Sequence, residues 1–181
     1  MRIQWPASLL AALLVLGGPC LPSGPPVGGT AWAADDPANI HRRGSGLPLP
    51  RFASLKSNEV NVRTGPGTRY PVEWRFRRKG MPVEIVAEHD NWRKIRDWQG
   101  AGGWVYQGLL SGKRSFIISS KVANLYKTPS IEAEVVARLE PEVMGEIRSC
   151  SGDWCRVRVS GISGWSQRAK LWGVYKSEPI N

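Results

Sequence analysis

The residues of this chain with the most chemical capacity are tryptophans, arginines and a pair of cysteines. In GDWCRVRV (Gly152–Val159), Trp154, Arg156 and Arg158 alternate with Cys155, Val157 and Val159. Successive side chains of a strand point to opposite faces, so inward valines put the indole and both guanidiniums on the other face. Such a face could stack on a sugar or peptide and hold a carboxylate through a bidentate arginine. The competing reading is a tryptophan covering the end of a small core, with arginine stems lying along the sheet. Trp92, followed by Arg93, Lys94 and Ile95, allows the same two readings. A second group comprises Arg63, Tyr70, Trp74, Trp98 and Tyr106. Arg63 and Tyr70 flank a Gly-Pro-Gly loop and could line one groove, where loop-borne polar and aromatic groups usually bind. The basic run Arg75, Arg77, Arg78 and Lys79 reads as an attractor of anionic glycan or lipid, or as a solvated turn.

Catalytic chemistry finds little to work with. His41 falls in a Pro/Gly-rich linker and His89 beside a hairpin turn, neither with a partner implied by spacing. Gly65, Pro66 and Gly67 are not followed by Gly-Lys-Ser/Thr, so they are no phosphate loop. Cys150 and Cys155 flank SGDW in a hairpin pattern. Their spacing is not CxxC and no histidines lie near, so a disulfide is expected rather than a redox or zinc site. No catalytic residue, metal ligand set or cofactor is expected, and the chain reads as not an enzyme.

Two tandem copies of one β-rich pattern must position these residues. VNVRTGPG (Val60–Gly67), GMPVEIV, DNWRKI and GGWV are answered in order by VANLYKTP (Val122–Pro129), VMGEI, GDWCRVRV and SGWS, at offsets of 61 to 63 residues. Apolar residues alternate at Val60 and Val62, Val83 and Ile85, and Val157 and Val159, which predicts half-buried antiparallel strands. The segment Ser130–Glu142 has some helical character, but it stands where the first copy has YPVEWRF, and the repeat decides for strand. Each copy lies near the lower size limit for a self-sufficient core, so the 9 tryptophans are expected to seal it. Strands this short and few predict small closed barrels.

The first 33 residues read as a signal peptide: Arg2, an apolar run from Ala7 to Leu16, and Ala31, Trp32 and Ala33 before a cleavage point. Cys20 raises lipidation as a rival, but Pro19 before it fits that poorly. Export to the periplasm is expected, with a linker over 34–51, domains over 52–112 and 113–176, and a tail over 177–181. No transmembrane segment is expected in the mature chain. The net charge of +10 favours anionic partners or serves solubility alone; outside the cytoplasm the anions are wall polymers, lipid head groups or acidic proteins, and nucleic acid is not expected.

The segment Asn61, Val62, Arg63, Thr64, Gly65 and Pro66, with Tyr70, the Gly-Met-Pro-Val strand, DNWRKI and GGWV, resembles the bacterial SH3 (SH3b) repeat. The second copy departs from it at Tyr126 and Lys127, losing the Arg and the Gly. The resemblance implies an all-β chain of two tandem SH3-like barrels of five or so strands each. It further implies a noncatalytic envelope protein that recognises peptidoglycan, another anionic envelope polymer or peptide. The alternative it leaves is a structural module contacting an envelope protein.

Overall fold

The computed structural model describes residues 44–119 and 121–181. The expected signal peptide, Cys20 and His41 lie outside them. Strands β1 (Arg51–Leu55), β2 (Val60–Arg63), β3 (Val72–Phe76), β4 (Pro82–His89), β5 (Trp92–Arg96), β6 (Gly102–Tyr106) and β7 (Leu110–Ser111) form one sheet, ordered β3-β2-β6-β5-β4-β1-β7. Strands β8 (Ser115–Ile118), β9 (Ala123–Tyr126), β10 (Val135–Leu139), β11 (Met144–Ser151), β12 (Trp154–Val159), β13 (Ile162–Gln167) and β14 (Leu171–Trp172) form a second, ordered β10-β9-β13-β12-β11-β8-β14. Adding seven to each label of the first order gives the second, so the repeat in sequence is a repeat of topology. It extends to the bulges: register slips between Ile85 and Ala87 on β4 and between Ile147 and Ser149 on β11. An extra residue there bends the long strand in both sheets alike.

The chain is all-β over the described residues, in two separate sheets. Each has seven strands rather than the five or so expected. The additional strands are ones that alternation cannot reveal, since β7 and β14 have two residues each. The stretch Gly112–Ile118, which looked like a join between copies, contains β8. All four of its residues are buried between β11 and β14, and a strand covered on both faces has no polar positions to alternate.

Aliphatic residues rather than indoles fill the interiors. The first core gathers Leu55, Val60, Val62, Val83, Ile85, Ile95 and Val105; the second is built on Phe116, Ile118, Leu125, Cys155 and Val157. Every described tryptophan is half-buried or exposed, which corrects the expectation of tryptophan-sealed cores. The physical reason lies in Gly103 and Gly164, which bring β6 and β13 too close for a large side chain. A Cβ there would sit 2.6 Å from Val62 and 2.6 Å from Leu125 respectively. The neighbouring Trp104 and Trp165 therefore turn to the outer face.

Cys150 and Cys155 are register partners in the β11–β12 hairpin and are joined by a disulfide. Closing so short a loop restricts the unfolded chain little. Mild reduction is expected to lower stability by about 2 kcal/mol, read as a shift in the urea midpoint, and to leave the first sheet's unfolding unchanged.

The sheets share a seam. Phe52 of β1 lies 5.0 Å from the Trp172 ring and 4.6 Å from that of Tyr175. Tyr175 donates its hydroxyl proton to Glu84 Oε1 at 2.6 Å, and Glu84, 3% exposed, also pairs with Arg96. Burial, with that bond to Glu84, pushes the Tyr175 phenol far above its ordinary value. Arg114 makes a two-pronged pair with Glu178 and donates to the Gly173 carbonyl. Burial alone would raise the Glu178 carboxyl. The Arg114 bonds and the Tyr175 backbone N–H outweigh it and hold the group below the usual carboxylate range. Residues 177–181, expected as a tail, include Ile180, which is buried in the second core and bridges Cys150.

Candidate functional site

The alternation of β2 decides which of its side chains are available. Val60 and Val62 are fully buried, which leaves Asn61 and Arg63 on the opposite face. Directly across, Trp92 at the start of β5 pairs in register with Tyr106 at the end of β6, their rings 6.0 Å apart and inclined at 69°. With Thr68 and Leu109 these residues enclose a groove of about 320 Å³.

Its two sides are fixed by hydrogen bonds. Arg63 Nη1 donates to the carbonyls of Thr68 at 3.1 Å and Tyr70 at 2.6 Å, so the guanidinium holds the loop against the strand end while its remaining N–H groups stay available. The Tyr70 ring lies flat over Gly65, where a Cβ would fall 2.4 Å from Tyr70 Cδ1. This close approach, not an unusual φ, is why the loop needs glycine there. On the other side Arg93 is buried and donates to the carbonyls of Asp90 and Trp92 and to Gln107 Oε1, and it pairs with Glu88. Gln107 in turn donates to Asn91 Oδ1 at 2.9 Å, which ties the turn before Trp92 to the residue after Tyr106. Glu88 takes part in this bracing as an anion: burial raises its carboxyl, but bonds from Ser45 and Arg51 overcome that and hold it low.

One polar atom is left over. Asn61 Oδ1 is buried and has no hydrogen-bond partner among the described residues. An unsatisfied buried acceptor costs about 1–3 kcal/mol, and an N–H donor from a bound molecule would remove that cost. The groove therefore offers two aromatic rings, one unfilled acceptor and a guanidinium edge, a set suited to an amide-bearing or sugar-bearing ligand with a carboxylate.

Of the residues singled out from sequence, Arg63 and Tyr106 meet here. Tyr70 lies behind Arg63 on Gly65, with the Arg69 guanidinium 5.2 Å from its ring centre. Trp74 is on the sheet's outermost strand beside Phe76, and Trp98 packs on the first core. Trp154, Arg156 and Arg158 are in the second sheet, with both arginines exposed on the face opposite Val157 and Val159. Two groove residues escaped the sequence reading. Trp92 looked equally like a cover for the core, and Asn61 had only its alternation with two valines to mark it. In the second sheet Asn124 donates to the Tyr126 hydroxyl at 3.2 Å and the Tyr126 ring stands edge-on to Trp154, so the corresponding groups engage one another.

Among the described residues no group of three or more His, Cys, Asp and Glu is placed to hold a metal ion, and no helix is long and apolar enough to cross a membrane.

Comparison with known proteins gives one family match, to the bacterial SH3 domain, over residues 56–112 and again over 119–173. A curated relative is the Bacillus subtilis protein named "Putative N-acetylmuramoyl-L-alanine amidase YrvJ", 23% identical over 124 residues, covering 62% of this chain and 24% of the relative. Solved structures that match include NlpC2 of Trichomonas vaginalis (TM-score 0.34, 15% identity, 73% of this chain and 51% of that one). An NlpC/P60 family protein of Bacillus cereus also matches (TM-score 0.31, 15% identity, 72% and 58%). The chain thus spans about a quarter of the curated relative and about half of the solved chains. The expectation of a noncatalytic binding protein, and of no enzyme, is corrected by the amidase relative: repeats of this kind stand in a protein bearing a hydrolase's name, so their presence is no ground for denying catalysis.

Proposed function

This chain belongs to the bacterial SH3 domain family, and on that premise we propose that it acts in the hydrolysis of peptidoglycan, its two sheets folded as SH3-like barrels that seat the wall polymer. The observation that carries this reading is the alignment with the amidase, whose 124 residues exceed what one repeat could supply. The first-sheet groove is the seat. Trp92 and Tyr106 stack on sugar or on aliphatic peptide, Asn61 Oδ1 accepts a peptide N–H, and Arg63 takes a stem-peptide carboxylate. Export to the periplasm, an expectation from the first 33 residues, places the chain beside that polymer. Cys150 and Cys155 are bonded to each other, so neither serves as a thiolate nucleophile while the disulfide is intact.

The test uses the full chain and dye-labelled sacculi. Soluble labelled fragments should accumulate above the buffer control. Trp92→Ala combined with Tyr106→Ala should reduce both release and retention on sacculi by about tenfold, as expected for the loss of a stacking pair. Unchanged retention by that variant removes the groove from the proposal, and absence of any release from the unaltered protein overturns the hydrolytic reading.

A further inference from the structure

A second, larger concavity lies away from the aromatic groove, where the end of β1, β7, the start of β8 and β11 meet. Its volume is about 600 Å³, within the range of small-ligand sites. Three ammonium groups line it. Lys56 follows β1, Lys79 closes the basic run after β3, and Lys113 precedes β8. All three are exposed, and none has a carboxylate within ion-pair distance among the described residues. Glu146, which also lines the cleft, is bound to Arg148 at 2.6 Å. The field inside is therefore positive and not internally neutralised.

The floor gives the independent sign. Ser115 is 7% exposed, lines the cleft, and its Oγ has no hydrogen-bond partner; Arg114 Nε beside it is likewise buried and unpartnered. Arg114 cannot turn to satisfy the hydroxyl, because its Nη groups are committed to Glu178 and to the Gly173 carbonyl. Two donors without an acceptor, ringed by three cations, want oxygen atoms carrying negative charge. Leu55 and Met144 supply apolar wall, which suits an anion carried on a short aliphatic body.

We infer that this cleft between the sheets is an oxyanion-binding site, in which Lys56, Lys79 and Lys113 provide charge and Ser115 Oγ and Arg114 Nε donate directed hydrogen bonds to a carboxylate or phosphate group. The site shares no residue with the aromatic groove, and it does not depend on the hydrolytic reading.

Calorimetric titration of the full chain at low ionic strength tests it, with sodium glutarate in one arm and inorganic phosphate in the other. One-to-one saturable binding is expected in at least one arm. Tighter glutarate binding assigns a carboxylate-bearing ligand, tighter phosphate binding a phosphate-bearing one, and equal binding the bare oxyanion. Lys56→Ala combined with Lys113→Ala should weaken it about tenfold, and Ser115→Ala about threefold, whereas Lys170→Ala, outside the cleft, should leave it unchanged. Because both lysines are exposed, the double variant should melt with the parent protein. Lack of saturation in both arms, or affinity unmoved by the double lysine variant, overturns the site.

Discussion

Phe116→Ala should destabilise the protein by about 4 kcal/mol, against about 2 kcal/mol for Trp165→Ala, although the indole is the larger side chain. Phe116 is wholly enclosed in the second core, and an added Cβ at Gly145 would come within 2.7 Å of its ring, so the surroundings cannot collapse into the space the ring leaves. Trp165 keeps one face toward solvent, and its removal opens no cavity. Urea midpoints of the two variants, measured with the disulfide intact, check the order. A larger loss for Trp165→Ala would restore the tryptophan-sealed interior expected from composition.

Arg168→Met should cost about 3 kcal/mol and loosen one segment selectively. Arg168 is 6% exposed, and its Nη1 donates to the carbonyls of Tyr175, Lys176 and Glu178 at 2.9, 2.8 and 2.9 Å. These charge-assisted bonds gather a stretch without regular strand structure around a single cation. Methionine retains much of the aliphatic stem but leaves three carbonyls to find water. Amide exchange should accelerate from Val174 to Ile180 before it does so in β9 or β12, because that segment has few other anchors. Uniform acceleration through the second sheet, or a loss below about 1 kcal/mol, would show that water already satisfies those carbonyls.

The duplication and its strand alternation were legible because Val60, Val62, Val157 and Val159 alternate in runs long enough to show period two, and because the Gly-Trp pairs recur at a constant offset. β8 was not, since Ser115–Ile118 has no polar alternation and follows a charged Gly-Lys-Arg sequence that imitates a linker. The groove was half legible. Tyr106 and Arg63 have side chains that suggest binding, whereas Asn61 becomes notable only once folding leaves its amide oxygen without a partner. Arg93 misled in the opposite sense: a strand of Arg and Lys looks solvated, yet its inward position at the sheet end finds Glu88 and Gln107 waiting. The oxyanion cleft could not be read at all, because Lys56, Lys79 and Lys113 come together only through the pairing of β1 with β7 and of β11 with β8.

Phe52, a residue of the first sheet, is clasped by two rings of the second, and Tyr175 reaches back to an acid of the first. Swivelling one half against the other would strip an aromatic contact and strand a buried carboxylate in the same motion. Whatever a polymer strand touches on one half, it meets the other half at a preset distance, like pegs on a common board. The second encounter then proceeds at a high effective concentration, so two weak holds can act as one firm grip.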